Sequence, residues 1–365
     1  MAHTLPDDVV LNILLRLPVK SLCRFKSVSK HFLSAISDPF FLRSHRHQSR
    51  QNPNLLFLKH SPPASDNPNN SIHVPAHSTV EFLSRDTRGI PVDFFTLSIP
   101  DSVYLLPSSR GDVVFFAGEK VFYACNPSTR EFTKLPPPSD CTSGEINAGL
   151  GFNRDTKEYV LIHLFDNSLN HNYEIIRCET LRFSDGEAGA CSWKGVDDIC
   201  PFPVRGWGVY VDNGFYWMIF DEYDHPENEA IVSFDLEKEV FRTVAPPQGV
   251  LDPDALWSLV ELRGFLCLVD HATRPFVVDI WAMKDCERHE WVKDYSIDVE
   301  GSIPSAIPLV LDYWDGEILM DEKQGNVCCY DTKAKKIRRF GGKPIEGEWT
   351  WLCLYTESFF SLAST

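Results

Sequence analysis

No stretch of this 365-residue chain approaches the roughly 20 consecutive apolar residues needed to cross a bilayer as a helix. The first eight residues, Met1 to Asp8, lack the basic segment followed by an apolar one that marks a secretory signal. None of the 11 cysteines stands in a Cys-x-x-Cys pair, and their number is odd; Cys328 and Cys329 form the only close pair. Together these absences lead us to expect reduced thiols, a cytoplasmic or nuclear location and no membrane partner. Chemistry is scarce too. There is no Gly-x-Ser-x-Gly and no P-loop, and His45-x-His47 has metal-like spacing without an accompanying Cys or carboxylate pair. That pair is expected to be solvated at a helix end. The scattered Cys, Tyr and His give no copper-site spacing, and neither a zinc module nor a nucleophilic cysteine setting is visible. A non-catalytic protein without metal or cofactor is expected.

Basic charge is also in short supply. There are 35 Lys and Arg against 51 Asp and Glu, for a net charge of -16, and the split is uneven. Residues 1–50 hold eight basic residues against three Asp, a balance of +5, so the rest of the chain stands at -21. An acidic body argues against nucleic-acid binding by the large part, and the split suggests two surfaces with different partners. What the chain does have is apolar material: 43% hydrophobic and 12% aromatic residues can supply real cores.

The first 48 residues read as short helices. Leu5-Pro6-Asp7-Asp8 opens one, with acids near the positive end of the dipole. Val10, Ile13, Leu14 and Leu17 then form a stripe at i, i+3, i+4 and i+7, and Pro18 stops it. Leu22 and Phe25 face inward from a second helix, and Val28, Phe32, Leu33 and Ile36 from a third. Asp38-Pro39 is an N-cap followed by proline, starting a fourth. So few residues cannot bury so many large side chains alone; either a partner or the chain's own large domain must cover them.

Leu5 to about Pro39 resembles the F-box in its plant form, through the opening Leu-Pro, the L-x-R-L-P-V-K-S-L core, the R-F-K-S-V-S-K run and the D-P-x-F ending. The resemblance implies binding to the acidic Skp-type linker of a cullin-based (SCF) ubiquitin ligase. Its implied contact set is Leu5, Pro6, Val10, Ile13, Leu14, Leu17, Pro18, Leu22, Phe25, Val28 and Phe32. The family usually has Trp where this chain has Phe32, which removes an indole N–H.

Residues 53–360 make the second expected domain, with a polar loop at 61–71 and, beyond about residue 100, short apolar runs between turns. One hairpin is written three times. Asn126, Asp235 and Asp331 stand in its turn, Phe132, Phe241 and Ile337 six places on, and Leu135, Val244 and Phe340 three further. Five four-strand units at a period near 40 to 50 residues point to a β-propeller, with this hairpin on the outside of each blade. A ring must close or its end blades expose edges. Strands at 55–58, 79–83 and 94–97 plus one at 349–355 would complete a sixth, composite blade. The expected class is therefore multidomain α+β, a small helical module followed by an all-β propeller of six blades.

Residues 100–350 also resemble the F-box associated domain of plant F-box proteins, including the S-locus group. The matching pieces are N-P-S-T-R-E-F-x-x-L-P at 126–136, G-L-G-F at 149–152, Ser192-Trp193, and I-W-A-M-K-D with E-W near 280–291. One departure is Ser109-Arg110-Gly111-Asp112-Val113, where the family usually has Gly-Leu. The resemblance implies a domain that recruits the protein to be ubiquitinated, and the S-locus group implies basic secreted ribonucleases among such substrates. The alternative is a non-degradative binding module, a lectin or scaffold, tethered through its F-box. By strand order, one propeller face gathers the loops between second and third strands. The candidate substrate contacts there are Asp166, His171, Asp221, Glu222, Tyr223, Asp224, Asp270 and His271. An acidic face would draw a basic protein partner.

Overall fold

A computed structural model describes residues 6–61, 78–86, 89–106, 111–118, 121–139, 147–166, 175–219, 231–248, 257–271, 274, 276–301, 309–322, 327–339 and 351–362. Four helices come first: α1 Asp7–Leu14, α2 Val19–Lys26, α3 Lys30–Ser37 and α4 Pro39–Gln51. Their starts follow the sequence signals. Ser29 accepts from the Phe32 N–H (3.2 Å), and Asp38 accepts from the N–H groups of Phe40 (2.8 Å) and Phe41 (3.2 Å). Helix α4 runs to Gln51, three residues past the expected end of the module.

The described strands fall into six antiparallel groups of four. Three groups are consecutive in sequence: β4 Tyr104–Leu106 to β7 Glu131–Lys134 through β5 Val114–Ala117 and β6 Phe122–Asn126; β16 Trp257–Leu262, β17 Phe265–Asp270, β18 Val277–Asp285 and β19 Glu290–Asp298; and β20 Leu309–Trp314, β21 Glu317–Asp321, β22 Val327–Asp331 and β23 Lys336–Arg339. Two more are β8 Asn147–Asn153, β9 Glu158–Asp166, β10 Ile176–Phe183 and β11 Trp193–Cys200, then β12 Val204–Val211, β13 Gly214–Ile219, β14 Ile231–Asp235 and β15 Val240–Val244. A parallel pairing of Gly149 with Gly208 links these two into one eight-stranded sheet. The sixth is composite, in the order β24-β1-β2-β3, from β1 Asn54–Ser61, β2 Ser78–Arg85, β3 Pro91–Ile99 and β24 Trp351–Tyr355. The expected strand at the chain's end thus pairs with β1, Leu55 opposite Leu354 and Phe57 opposite Leu352.

Six apolar clusters sit between neighbouring groups and complete the ring. Phe115 and Leu161 share one, Val160 and Trp217 the next, Leu268 and Tyr216 another, and Ile280 and Ile318 a fourth. Leu55 with Cys329, and Phe82 with Phe116, close the circle through the composite blade. The first strands of successive blades are neighbours, β4 by β8, β8 by β12, β12 by β16 and β16 by β20, so they line the axis, and β24 takes the inner position of its blade beside β20.

The recurring motifs acquire physical reasons here. Asp235 Oδ1 accepts from the N–H groups of Glu237 and Lys238 (both 3.0 Å), and Asp331 Oδ1 from those of Lys333 and Ala334 (both 2.8 Å). Asp285 does the same for Glu287 (2.9 Å) and Arg288 (3.0 Å), a further copy of the outer hairpin. The Trp of each matched motif ties its blade to the one before. The Trp193 indole donates to the Pro136 carbonyl, and Trp291 to that of Ala245, each at 2.8 Å. In G-L-G-F, a Cβ on Gly149 would lie 2.7 Å from the Phe215 ring, and one on Gly151 2.2 Å from Tyr210, so both glycines permit close approach of the next blade.

Residues 356–362 leave β24 and cross the face that carries the inner and outer hairpin turns. The Thr356 N–H donates to the Gly111 carbonyl (2.9 Å), and that of Leu362 to Glu131 (2.7 Å). The Ser361 N–H donates to Asp185 (2.5 Å). Asn126 is the exception among the turn residues. Its Oδ1 accepts from Ser128 (2.9 Å) as the aspartates do, while its Nδ2 donates to the carbonyls of Ser358 (3.1 Å) and Phe360 (2.7 Å). Only an amide can do both. Phe360 inserts among Leu106, Phe115 and Tyr159, its ring 5.1 Å from that of Tyr159.

Three outcomes are expected. Truncation after Glu348 removes β24 and the tail and should lower the whole propeller's melting transition as one cooperative step in circular dichroism; a truncated chain that melts like the parent would contradict the closure. Asn126→Asp keeps the turn acceptor but sets a charge against two carbonyls in a buried site, and should cost about 2–4 kcal/mol in denaturant unfolding. Asp331→Asn should cost under about 0.5 kcal/mol by the same measurement.

Candidate functional site

The helical module packs on the propeller face crossed by the tail. Its core is Leu14, Leu22, Ile36 and Phe41, and Phe359 of the tail packs against that cluster. The first N–H of α2, at Val19, donates to Glu357 Oε2 (2.8 Å), so the helix is capped by a carboxylate from the other end of the chain. Burial holds the Glu357 carboxyl above its ordinary pKa, against the lowering effect of that bond. Lys20 Nζ donates to Asp93 (2.6 Å), and Lys26 lies 4.6 Å over the Phe359 ring. Deeper in, Arg46 of α4 pairs with the fully buried Asp112, which also accepts from the Tyr159 hydroxyl. Burial drives Asp112 up and the Arg46 guanidinium draws it back, so the pair is a junction between module and propeller that neither half makes alone.

His45 corrects an expectation. It is 2% exposed rather than solvated, its Nε2 donating to the Leu17 carbonyl (2.9 Å), with rings of Phe41 and Phe359 at 6.1 and 5.7 Å. A buried imidazole with apolar neighbours has its pKa depressed by desolvation, as found. His47 stays exposed, and among the described residues no group of three His, Cys, Asp or Glu is placed to hold a metal ion.

The helical residues implied as linker contacts divide into two sets. Leu14 and Leu22 are buried within the module, and Val10, Leu17, Phe25 and Phe32 are partly buried around them. Pro6, Ile13, Pro18 and Val28 are exposed, and Leu5 lies outside the described residues. Val28 and Leu33, expected to face inward, do not: they are 66% and 48% exposed, Val28 in the turn before α3 and Leu33 on α3 itself, whose buried residue is Ile36. Val9, Leu11, Ile13 and Phe40 are exposed as well, Ile13 at 48% and Phe40 at 71%. Docking on the propeller therefore leaves six large apolar side chains among the module's described residues in water. Phe32 stacks edge-on to Phe25 at 5.5 Å, an apolar contact that needs no indole N–H.

On the propeller, Asp166 ends β9 and Asp270 ends β17, at the ends away from the inner hairpin turns and hence from the module. Asp270 and His271 are 3% and 6% exposed, so they stand inside the blade rather than on its loop surface. His171, Asp221, Glu222, Tyr223 and Asp224 lie outside the described residues. Sequence reasoning passed over Arg46, Asp112, Glu357 and Phe359. The one available signal was Gly111-Asp112, the departure from the family's usual Gly-Leu: its aspartate is the partner of Arg46. Gly111 is fixed there by a φ of +71°, and a Cβ would lie 2.5 Å from the Leu354 carbonyl oxygen.

His271 gives a pH dependence with a definite sign. Burial depresses its pKa to about 4, and its Nε2 meets Ser258 Oγ at 3.2 Å. The unfolded chain takes up this proton near pH 6.5 and the folded one only near 4, so stability is complete above 6.5 and falls as pH drops between the two. The expected loss over that window is about 2–3 kcal/mol. It should shrink in His271→Gln, followed by denaturant unfolding at pH 7 and pH 4.5.

Comparison with known proteins agrees with this architecture. The F-box domain matches residues 3–44 and the F-box associated beta propeller domain residues 54–362. Similar proteins include three from Arabidopsis thaliana. F-box protein CPR1 is 26% identical, with 92% of this chain and 83% of that protein covered. F-box protein At4g22390 is 24% identical over 92% and 85%, and the putative F-box/kelch-repeat protein At1g12870 is 25% identical over 82% and 72%. A helical module with exposed apolar side chains, seated on one face of a ring closed by its own last strand, belongs to a chain of the F-box protein family that carries an F-box associated β-propeller domain.

Proposed function

We propose that this chain is the substrate-recognition subunit of an SCF-type ubiquitin ligase. The F-box binds the Skp-type linker, and the propeller presents a target protein to the assembled enzyme. The observation that carries this reading is the set of exposed apolar residues Val9, Leu11, Ile13, Val28, Leu33 and Phe40 on a module already docked by its other side. Uncovered apolar side chains on so small a body suit a partner surface, and their +5 setting suits an acidic linker. Catalysis would then lie with other subunits, this chain serving as an adaptor. Ten described cysteines without a disulfide suit action in the cytoplasm or nucleus.

The target would bind the face opposite the module, and an acidic body at -21 suits a basic protein. Neutralising Asp221, Glu222 and Asp224 to Asn or Gln should slow association with the true substrate and flatten its salt dependence, leaving linker binding unchanged; an unaltered rate and salt slope would remove this face from the proposal.

The linker contact is tested without disturbing the module's core. Ile13→Asp with Val28→Asp alters exposed positions and should abolish co-purification with the linker while the melting transition stays within a few degrees of the parent. Leu14→Asp would lose the linker by unfolding the module, since Leu14 is a core residue. A folded double variant that still binds the linker would defeat the assignment. Ubiquitination of a captured target in a reconstituted ligase separates a degradative receptor from a tethered binding module.

A further inference from the structure

The propeller face that carries the helical module also opens a recess of about 680 Å³. That size lies within the range of small-molecule sites. Its walls come from separate elements: Arg50 from the last turn of α4, Arg154 from the β8–β9 turn, Tyr210, Asp212 and Asn213 from the β12–β13 hairpin, and Glu261 from β16. The module thus contributes one residue, Arg50, to a recess otherwise lined by the propeller.

Arg50 and Arg154 form no side-chain hydrogen bond or ion pair among the described residues, whereas Arg46, one turn earlier on α4, is satisfied by Asp112. Desolvation and repulsion from Arg46 and Arg154 push the Arg50 pKa down, with Asp112 opposing. A cation at a helix C-terminus is ordinarily welcome, which explains an arginine on this turn. Arg154, exposed on the β8–β9 turn, brings a second guanidinium to the same recess from a blade. Two such planar donors facing one space suit an oxyanion that each can grip with paired N–H groups.

A bare anion does not match the rest of the lining. Asp155, Asp212 and Glu261 bring three carboxylates, one of which, Glu261, already accepts from the Gly264 N–H at 2.6 Å. Carboxylates are acceptors only, so these residues ask for a ligand that also brings donors. The Tyr210 hydroxyl donates to Asn213 Oδ1 (2.8 Å), and Asn153 Nδ2 to the same atom (3.0 Å), which fixes the orientation of the Asn213 amide. Two guanidiniums and several acceptors around one space suit a molecule that carries both a phosphate and hydroxyls.

We propose that this recess binds a phosphorylated polyol, its phosphate between Arg50 and Arg154 and its hydroxyls donating to Asp212 and Glu261. Because the ligand touches both α4 and the blades, it would fasten the module to the propeller at a second point besides Arg46–Asp112. The proposal does not depend on linker binding.

The test uses the full chain and calorimetric titration at constant ionic strength, with glucose 6-phosphate as probe and glucose and inorganic phosphate as controls. Saturable binding of glucose 6-phosphate is expected, with inorganic phosphate at least tenfold weaker and glucose silent. Arg154→Gln, on an exposed turn, and Arg50→Gln should each weaken the probe at least tenfold. Asp212→Asn should weaken the probe and leave inorganic phosphate unchanged. No saturable binding of the probe, or full binding by Arg154→Gln, would overturn the site. Equal affinity for the probe and inorganic phosphate would overturn its polyol half.

Discussion

Everything in this molecule depends on one length of chain, residues 351–362, being held in place. A ring of blades has no edge only when its last strand is home, and β24 supplies the inner strand of a blade whose other three strands come from residues 54–99. The entropy of bringing two ends together across some 300 residues grows only slowly with that separation, so the closure is affordable if the contacts are good. They are: Leu352 and Leu354 face Phe57 and Leu55, and the following residues are fastened by Gly111, Asn126, Glu131 and Asp185.

The same segment decides where the helical module sits. Glu357 caps α2, and Phe359 joins the module's core while Phe360, pointing the other way, joins the propeller's. Running between the two bodies, the tail lets two adjacent phenylalanines serve one each. Arg46 and Asp112 add a buried pair beneath. Such a pair is weak evidence for net stability, since desolvation offsets most of the attraction. It does penalise any arrangement that leaves Asp112 alone, which favours one orientation of module on ring.

That orientation sorts the surfaces by task. The face with the inner and outer turns is taken up by the module, the tail and the recess at Arg50, while the ends of β9 and β17 point to the opposite face. The module and the far ends of β9 and β17 thus lie on opposite sides of the ring. Physical separation of this kind lets each surface carry its own charge, +5 on the module's stretch and -21 on the remainder.

Much of this was legible in the residues alone. The start of the fourth helix was written in Asp38 and Pro39, the outer hairpins in Asn126, Asp235 and Asp331, and the composite blade in the need for a ring to close, because each is a local or topological constraint that a short stretch expresses. The sequence did not reveal which apolar positions of the module face water: Val28 and Leu33 match the pattern for burial but are exposed, Val28 because it falls in the turn before α3 rather than on the helix. Nor did it reveal that His45 is buried, that Asp270 and His271 are inside a blade, or that Asn126 differs from its aspartate counterparts in order to hold the tail. These are decided by contacts between residues up to 338 positions apart, such as Val19 with Glu357, and a periodic pattern carries no information about partners at that distance.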